Sequence, residues 1–562
     1  MCGIFALLNH ANQDPQQIDA QFIKGRQRGP EYSVLTPVYK NALFGFHRLA
    51  INGLNPESNQ PLVLNGLTLI CNGEIYNYKQ LYETMGVVPG TQSDCEVILW
   101  LYEKYGIEHC LQMLDGVFAF VLLDERHEVP VIYIARDPYG VRPLYILKND
   151  ASKGLVGFAS ELKSLSEFQS AVSHFKPGAY AQWSFRPASQ TWESSILDTA
   201  YHHTPFPLQV DISTSSQITE GIRHHLIAAV EKRCVTTERP IACLLSGGLD
   251  SSLITALVCQ YHTKNGLAKP ETYSIGLAGS VDLKYARLVA DHLKTKHTEI
   301  VLSEQDFIDA IPRVIEAIES YDTTTVRASI GNYLLGEYIS KHSQAKVIFN
   351  GDGSDELLGG YLYMNKAPDA IEFDRECRRL LKDIHAFDVL RSDKSISSHG
   401  LEPRTPFLDR SWVQFYLSLP AAVRFQPNLP EKYWLRSAFS TSGPGADALS
   451  PGSDALSPGA GALPKDVLWR RKEAFSDGVS GTERSLYQIL QEHCENHIPE
   501  NFGSQEVRIN VPQTQEQVFY RWVFEKRYPG HGNVVPYFWM PKYVEAKDAS
   551  ARTLAIYATQ NP

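Results

Sequence analysis

The second residue of the chain is a cysteine whose position would make it a nucleophile. Removal of the initiator methionine, which a small second residue favours, would leave Cys2 with a thiol and a free α-amine on one residue. The reference pKa is about 7.7–8.0 for an α-amine and about 8.5 for a thiol, so the amine can act as base without a histidine. A lone cysteine here is more often incidental, so the surrounding residues decide the interpretation.

Polar residues suited to acyl transfer follow two of the predicted strands. Asn72 and Gly73 come after the apolar run LTLIC, and the Asn72 amide with the Gly73 N–H would form an oxyanion hole. Arg48 can take a carboxylate bidentately, while Glu74 and Asp94 can accept hydrogen bonds from an ammonium group. The alternatives are a turn at Asn72-Gly73, a surface ion pair for Arg48 and a helix N-terminal charge for Asp94. It is improbable that all three of these non-functional alternatives hold at once in a chain that also has an N-terminal cysteine.

A second group of residues, 246–251 with the sequence SGGLDS, has the composition of a phosphate-binding loop. It lies between a short apolar strand, IACLLS, and a helix, SLITALVCQYH. Glycines let the backbone approach a phosphate, hydroxyl and N–H groups bind its oxygens, and a helix N-terminus favours negative charge. A Walker loop would carry Lys followed by Ser or Thr, which this segment lacks. A capped Gly-Gly turn would explain SGG alone, but the full SGGLDSS after a buried strand is more specific.

A loop rich in carboxylates, residues 350–356 with the sequence NGDGSDE, follows the predicted strand KVIF. Carboxylates at the C-terminal end of a strand in an open α/β sheet suit a magnesium ion or a general base. The alternative is a solvated acidic loop. Its position after a core strand favours the functional interpretation.

The elements that must position these residues differ between the two parts of the chain. Residues 1–202 read as short strands with one helix near Ser93–Tyr105, which favours layered antiparallel sheets. Residues 203–216, with mixed Pro, Ser and Thr, are predicted to be a linker. Strands and helices alternate through residues 217–562, which indicates a parallel α/β sheet. Within that part, residues 442–464 contain DALSPG twice and are predicted to be a flexible loop.

Composition restricts the classes of function. The 562 residues are 43% hydrophobic and 21% charged, as in a soluble protein of two or three domains. The formal net charge of −10 argues against nucleic acid or an anionic membrane as a partner. We find no membrane-spanning run and no signal sequence, and nine cysteines without a CxxC pair predict reduced thiols in the cytoplasm.

Six segments of the first two hundred residues resemble the class II glutamine amidotransferase domain: MCGIFALL, RGPEYS, HRLAI, CNGEIYN, DGVFAFVLLD and RDPYGVRPLY. The resemblance implies an α+β N-terminal-nucleophile fold, a four-layer αββα sandwich, and pairing of two copies as a possible homodimer. It also implies that Cys2 is the nucleophile, assisted by Asn72 and Gly73. The glutamine-binding residues that it implies are Arg48, Leu49, Ala50, Ile51, Asn52, Asn72, Gly73, Glu74 and Asp94.

The loop SGGLDSS resembles the pyrophosphate-binding loop of the ATP-pyrophosphatases, which cleave ATP between the α and β phosphates. With SVDLKYA, ESYDTTTVRAS, GLEPRTPFLD and WRRKEAFSDGV, nearly the whole C-terminal region is similar to the asparagine synthetase family. This resemblance implies an α/β parallel-sheet ATP-pyrophosphatase domain with a helical C-terminal part. It further implies glutamine, aspartate and ATP with Mg²⁺ as the small-molecule partners, and β-aspartyl-AMP as the intermediate.

The same resemblance assigns residues to each ligand of the second domain. Thr324 and Arg327 would hold aspartate, Lys472 would neutralise charge on the phosphates, and Asp352 would assist the attack of ammonia. Asp250 and Asp355 would hold the metal ion. The implied ATP-binding residues are Leu245, Ser246, Gly247, Gly248, Asp250, Ser251, Ile275, Asn350 and Gly351. For Arg404, a structural ion pair and a substrate role are equally compatible with the sequence.

Two departures from the family pattern leave alternatives open. The usual Ser-Gly-Glu-Gly reads Asn-Gly-Asp-Gly here, so Asp352 keeps the charge but is one methylene shorter, and misplacement of catalytic groups is costly. The insertion 442–464 costs little stability but would loosen the segment that carries Lys472. The alternatives are a relative that adenylates another carboxylic acid, as β-lactam synthetase does, and a catalytically idle binding protein. A phosphoribosyl amidotransferase or glucosamine-phosphate synthase would share the first domain, but SGGLDSS contradicts both.

Overall fold

The computed structural model describes residues 2–148, 154–204, 206, 214–441, 461–473, 475–481, 484–498 and 507–554. Most of the predicted linker 203–216 and nearly all of the predicted loop 442–464 lie outside the described residues. The described residues form two domains of helices and strands, the first with antiparallel sheets and the second with a parallel sheet, as predicted. Among them, no helix is both long and apolar enough to cross a membrane.

The described residues of the first domain contain twelve antiparallel strands. They are β1 Gly3–Leu8, β2 Tyr32–Tyr39, β3 Ala42–Arg48, β4 Leu62–Leu64, β5 Leu67–Ile75, β6 Gly116–Asp124, β7 Val131–Arg136, β8 Tyr145–Lys148, β9 Val156–Ala159, β10 Ala171–His174, β11 Ala179–Arg186 and β12 Thr191–Ala200. They pair into two six-stranded sheets, in the orders β10-β8-β9-β1-β3-β2 and β12-β11-β7-β6-β5-β4. The ends of β3 and β5 carry most of the residues predicted to act on glutamine.

Strand β6 shows how the two sheets pack, because alternate side chains of a strand point to opposite faces. Ala119 and Val121 pack between the two sheets. Phe118 and Phe120 pack under the helices that cover the second sheet. The described part of this domain has three α-helices: α1 Pro15–Ile23, α2 Tyr78–Met85 and α3 Val97–Met113. The helix predicted at Ser93–Tyr105 begins at Val97, after a 3-10 turn at Asp94–Glu96, and Gly106 with a φ of 74° separates it from a second helical segment that ends at Met113.

A five-stranded parallel sheet forms the centre of the second domain. Its strands are β13 Ile241–Leu244, β14 Glu271–Leu277, β15 Lys296–Leu302, β16 Val347–Phe349 and β17 Glu402–Arg404. Their order is β15-β14-β13-β16-β17, and every pairing is parallel. The order reverses between β13 and β16, and in open α/β sheets ligands bind at such a point, beyond the carboxyl ends of the strands.

Helices surround this sheet and make up the C-terminal part, as predicted. Their bounds are α4 Ser215–Val235, α5 Leu249–Lys264, α6 Val281–Leu293, α7 Glu304–Ile318, α8 Thr323–His342, α9 Ser354–Leu358, α10 Ala370–Asp383, α11 Asp388–Ser397, α12 Arg410–Ser418, α13 Ala421–Arg424, α14 Tyr433–Phe439, α15 Lys465–Leu468, α16 Phe475–Gly478, α17 Leu486–Asn496 and α18 Gln515–Arg527. Helix α5 follows the SGG segment directly, so its N-terminus lies at the carboxyl end of β13.

Buried ion pairs join the two domains. The guanidinium of Arg28 lies 2.7 Å from Glu161 in its own domain and 2.8 Å from Asp393 in the second. Lys394 in turn lies 3.1 Å from Glu161 and 2.6 Å from Glu319. Loss of one partner of a buried pair typically costs about 3–5 kcal/mol, because an unpaired charge stays buried. These pairs therefore hold the two domains in a defined orientation.

Candidate active sites

The structure brings Cys2 together with Asn72, as predicted for a nucleophile beside an oxyanion donor. The backbone nitrogen of Cys2, which becomes the α-amine once residue 1 is removed, lies 3.2 Å from Oδ1 of Asn72. Its Sγ lies 3.7 Å from the carbonyl oxygen of Leu49. Burial raises the pKa of the Cys2 thiol to about 11. The thiol therefore needs a base to become a nucleophile, and the α-amine of the same residue is the group placed to serve.

Packing explains the glycine beside Asn72. Gly73 lies on β5 opposite Phe118 of β6, and a Cβ on Gly73 would lie 2.6 Å from the carbonyl oxygen of Val117. Any side chain at this position would force the two strands apart. Asn72 itself is fully buried, and its Nδ2 donates to Ser160 over 3.4 Å. The sheet thus holds the Asn72 amide in one orientation, as preorganised oxyanion stabilisation requires.

The remaining predicted glutamine-binding residues surround this pair. Arg48 donates to the carbonyl oxygens of Gly53 and Asn55 and to Oδ1 of Asn59 over 2.5 Å, so its guanidinium is held in a fixed position. Asn52 donates to Glu74 over 2.6 Å. The four residues that follow β3, Leu49, Ala50, Ile51 and Asn52, are buried. Asn52 also donates a hydrogen bond to the Thr236 carbonyl oxygen of the second domain.

Two buried carboxylates lie beside the Asn72-Gly73 segment. Asp94 accepts a hydrogen bond from the Ile75 N–H over 2.7 Å. Burial raises the pKa of Asp94 to about 6, with a further contribution from Glu402. Burial, together with the charges of Asp94 and Glu402, also raises the pKa of Glu74 well above its usual range. The pair provides buried oxygen acceptors for an ammonium group.

Arg404 connects this site to the second domain. Its guanidinium lies 3.4 Å from Glu74 and 2.8 Å from Glu402, and it also donates to the carbonyl oxygens of Arg233 and Thr236. These contacts are those of the structural ion pair, one of the two interpretations that the sequence left open for Arg404.

A large cavity lies at the carboxyl ends of β13 and β16, where the phosphate-type loop was expected. It holds about 1320 Å³ of space, including its open mouth. Most of the residues predicted for ATP, the metal ion and the acceptor line it: Leu245, Ser246, Gly248, Asp250, Ser251, Ile275, Thr324, Asn350, Gly351, Asp352, Asp355 and Lys472. Gly247 does not line it but has a φ of 76°, and a Cβ there would lie 2.4 Å from the Ala286 nitrogen on α6. Gly247 therefore allows the loop to turn against α6.

The two loops at the floor of the cavity pack directly against each other. A Cβ on Gly351 would lie 2.8 Å from both the Asp250 Cβ and the Ser251 nitrogen. Ser354 donates to Oδ1 of Asp250 over 2.8 Å. The hydroxyl oxygens of Ser246 and Ser251 lie 2.9 Å apart. The hydroxyl groups and the carboxylate thus face the same small space, as in a phosphate site.

Two lysines neutralise the carboxylates of this cavity. Lys472 lies 2.5 Å from Asp355 and 3.8 Å from Asp250. Lys432, which the sequence analysis missed, lies 2.6 Å from each of the same two carboxylates and is almost fully buried. Burial alone would raise the pKa of Asp355, but the charges of Lys432 and Lys472 outweigh it and hold the pKa well below its usual range. Two cations beside a hydroxyl-rich loop suit a polyphosphate.

Asp352 lies at the wall of the cavity, close to a cation. Its Oδ1 is 3.5 Å from Nη2 of Arg391, and its Oδ2 is buried without a hydrogen-bond partner among the described residues. Burial raises the pKa of Asp352, and the Arg391 charge opposes the shift in part. A carboxylate with a raised pKa and an unpaired oxygen is suited to accept a proton.

The two residues predicted to hold aspartate, Thr324 and Arg327, lie on α8 but differ in their surroundings. Thr324 lines both the large cavity and an adjoining one of about 540 Å³. Its Oγ1 is buried and lacks a hydrogen-bond partner among the described residues. Arg327 lines only the smaller cavity, and Glu516 and Asp548 already pair with its guanidinium. These two acidic residues were missed because no local motif marks them.

Comparisons with known proteins cover nearly the whole chain. A family described as "Glutamine amidotransferase domain" matches residues 1–200, and a family described as "Asparagine synthase" matches residues 221–372 and 366–446. A chicken (Gallus gallus) protein named "Asparagine synthetase [glutamine-hydrolyzing]" is 40% identical over 99% of both chains. The human (Homo sapiens) protein of the same name is 39% identical over the same shares.

Proposed function

The chain belongs to the family of glutamine-hydrolysing asparagine synthetases, and we propose that its two sites divide the reaction between them. Its reaction is the ATP-dependent synthesis of asparagine from aspartate with nitrogen from glutamine. The observation that carries the proposal is that the two groups of candidate catalytic residues lie in two separate sites, one in each domain. Cys2 and Asn72 lie on the antiparallel sheets, and the lysine-lined cavity lies on the parallel sheet.

In the first domain, the Cys2 thiol attacks the side-chain amide of glutamine. The α-amine of Cys2 takes the thiol proton and then passes it to the departing ammonia. Asn72 and Gly73 stabilise the oxyanion, and water then hydrolyses the thioester to glutamate. Arg48 takes the α-carboxylate, Leu49, Ala50, Ile51 and Asn52 form the wall, and Glu74 and Asp94 accept from the α-ammonium. The short distance between the Cys2 nitrogen and Asn72 supports this arrangement.

Glutamine hydrolysis is expected to weaken as pH falls below about 6. The pKa of Asp94 is raised to about 6, so below this pH the carboxyl group becomes neutral and loses its attraction for the substrate ammonium. Protonation of Asp94 should therefore steepen the fall in glutaminase kcat/KM below pH 6 by up to about tenfold per pH unit, in addition to the fall caused by protonation of the Cys2 α-amine. Glutamate release between pH 5 and 8 measures this. Asp94→Asn should be weak at all these pH values and should lose the extra fall below pH 6, keeping only the dependence set by protonation of the Cys2 α-amine. An unchanged extra fall in that variant would contradict the assignment.

In the second domain, the side-chain carboxylate of aspartate attacks the α-phosphorus of ATP. This forms β-aspartyl-AMP and releases pyrophosphate, and ammonia then displaces AMP to give asparagine. Asp352 accepts a proton from the attacking nitrogen. Lys472 stabilises the charge of the departing pyrophosphate. Leu245, Ile275, Asn350 and Gly351 contact the nucleoside monophosphate part, and Ser246, Gly247, Gly248, Asp250 and Ser251 surround the pyrophosphate.

The residues of the cavity fit a magnesium ion bound together with ATP. Magnesium typically takes one or two protein carboxylates and completes its shell with phosphate oxygens and water. Asp250 and Asp355 offer two carboxylates that lie close together, because both form an ion pair with Lys432. Among the described residues, no group of three or more His, Cys, Asp or Glu forms a metal cage by itself. The bound ion would neutralise phosphate charge, and Asp250 and Asp355 would hold it.

Three further assignments belong to the same proposal. The first domain is an N-terminal-nucleophile sandwich of four αββα layers, which the facing sheets and the helices packed outside them support. The two domains span residues 1–202 and 217–562. The enzyme acts in the cytoplasm, in keeping with nine free cysteines. Pairing of two copies into a homodimer stays a prediction.

Product analysis tests the adenylation route. With glutamine, aspartate and Mg-ATP, we expect asparagine, AMP and pyrophosphate in equal amounts. ADP in place of AMP would overturn the β-aspartyl-AMP intermediate. Pyrophosphate release with another acid but not with aspartate would favour the relative with a different acceptor, and absence of release with every acid would favour the idle binding protein.

A further inference from the structure

Both hydrogen-bonding edges of the Arg327 guanidinium are already occupied by carboxylates. Glu516 accepts from Nε over 2.9 Å and from Nη2 over 2.5 Å. Asp548 accepts from Nη1 over 2.8 Å and from Nη2 over 2.9 Å. A guanidinium has five N–H donors and offers only two such bidentate edges. A substrate carboxylate can therefore bind Arg327 bidentately only if one of these two residues leaves.

The two carboxylates differ in how firmly they are held. Glu516 lies on α18 with a side chain only 1% exposed, so its release would leave an uncompensated charge in the core. Asp548 lies outside the helices, in the C-terminal segment 541–550, and its side chain is 14% exposed. It also accepts from the Ser550 N–H over 2.7 Å and from Nε2 of Gln491 over 3.0 Å. Asp548 is the partner that can leave.

Arg327, whose outer edge is paired with Asp548, lies beside the space proposed to bind aspartate. Arg327 and Ser550 line the smaller cavity, which shares Thr324 and Tyr361 with the ATP cavity. The buried Thr324 hydroxyl, which has no hydrogen-bond partner within the described parts of the chain, points to a polar ligand between the two spaces. Asp548 also carries the same side-chain carboxylate as the substrate aspartate. While Asp548 is bound, two negative charges outweigh the single charge of Arg327.

We propose that Asp548 sets the affinity of the enzyme for aspartate by occupying the Arg327 edge that the substrate carboxylate takes. The inference rests on the proposed role of Arg327 in holding aspartate. Binding of aspartate and binding of Asp548 to Arg327 then exclude each other, so the apparent affinity for aspartate is reduced to the fraction of molecules in which this edge is free. The C-terminal segment thus competes with the substrate and does not act as a lid that closes over it.

Kinetics of an Asp548→Asn variant test this competition. With saturating glutamine and Mg-ATP, the KM for aspartate should fall about fivefold, because the neutral amide holds Arg327 less tightly than a carboxylate does. The kcat and the KM for ATP should stay within about twofold. Asp548→Glu, which restores the charge, should return the KM toward the wild-type value. A KM that rises or stays unchanged in Asp548→Asn would overturn the proposal.

Glu545→Gln is the matched control. Glu545 is exposed in the same segment, so its removal changes the net charge equally without touching Arg327. Its KM for aspartate should equal that of the wild type, and an equal fall in both variants would assign the effect to overall charge and overturn the proposal. Gln491→Ala, which removes only one support of Asp548, should lower the KM in the same direction by a smaller factor. It keeps the proposal testable if Asp548→Asn does not fold.

Amide hydrogen exchange distinguishes competition from a purely structural role of Asp548, because in the structural case aspartate would not change the exchange rates around Asp548. Saturating aspartate should speed exchange in residues 543–554, because the substrate displaces Asp548, whereas slower exchange would indicate a lid and contradict the competition. Arg327→Lys tests the proposed role of Arg327 in holding aspartate separately from the competition by Asp548. A lysine keeps the positive charge but cannot form the bidentate hydrogen bonds of a guanidinium. An unchanged KM for aspartate in Arg327→Lys would refute the acceptor role itself. A raised KM there, with no fall in Asp548→Asn, would refute only the competition.

Discussion

A Cys2→Ala protein is expected to lose glutamine-dependent asparagine synthesis and to keep synthesis from free ammonium. The substitution removes the thiol of Cys2 but keeps the backbone nitrogen that lies 3.2 Å from Asn72 Oδ1. Glutamate release should fall by roughly a thousandfold or more, as is usual when a covalent nucleophile is lost. Glutamate and asparagine, measured with either nitrogen source, give the two activities separately.

Cys110→Ala is the matched control for this experiment. Cys110 is a buried cysteine of the same domain, on α3, and its thiol donates to the Ile98 carbonyl oxygen over 3.8 Å. This variant should keep both activities. Mass spectrometry of the wild type should show that residue 1 is absent, because the base must be a free α-amine. Retention of glutamine-dependent synthesis by Cys2→Ala would refute the nucleophile assignment.

A Lys472→Ala protein should show the opposite pattern, losing synthesis from both nitrogen sources and keeping glutaminase activity. Lys472 lies 2.5 Å from Asp355 and 3.8 Å from Asp250, where charge develops on the departing pyrophosphate. Loss of one group that stabilises such charge typically costs a factor of about 10²–10³ in kcat. Pyrophosphate release and glutamate release, measured in the same reaction, report the two sites.

Lys465→Ala controls for the loss of a positive charge near this segment. Lys465 is exposed on α15, seven positions before Lys472, and should be replaceable without effect on either activity. The fold should survive in Lys472→Ala, because Lys432 still pairs with Asp355 and Asp250. Undiminished pyrophosphate release in Lys472→Ala would assign the phosphate role to Lys432 and contradict the prediction. A parallel loss of glutaminase activity would indicate unfolding, which the melting temperature would show.

Much of both sites was predictable because the residues of each loop are contiguous in the sequence. Ser246, Gly248, Asp250 and Ser251 follow one strand, and Asn350–Glu356 follow another. Strand-end residues in a parallel sheet meet at one edge, so their convergence in one cavity was expected and is what the structure shows. Element bounds were less predictable. The helix expected at Ser93–Tyr105 begins only at Val97, after a 3-10 turn at Asp94–Glu96, and a second helical segment follows Gly106 up to Met113. Ile107, Cys110 and Leu111 of that second segment are buried in the core, and this packing has no marker in the local sequence.

Residues far apart in the chain were not predictable, because their roles depend on pairing across space. Lys432 neutralises Asp250 from 182 positions away, and Arg28 reaches Asp393 across 365 positions. Neither cation lies on an amphipathic repeat that would indicate a partner. Arg404 was left between two interpretations for the same reason, since its partner Glu74 belongs to the other domain.

The amino-acid sequence by itself determined the chemistry of this protein: an N-terminal thiol nucleophile, a phosphate-type loop and an acidic loop, each complete within a few residues. Only the tertiary structure decided which charges compensate one another, and therefore which groups are available to substrates. Arg327 shows the difference, because its residue type predicts a carboxylate partner, yet Glu516 and Asp548 arrive from 189 and 221 positions away. A buried charge must be paired, and the fold selects the partner by distance and burial, which no local pattern records.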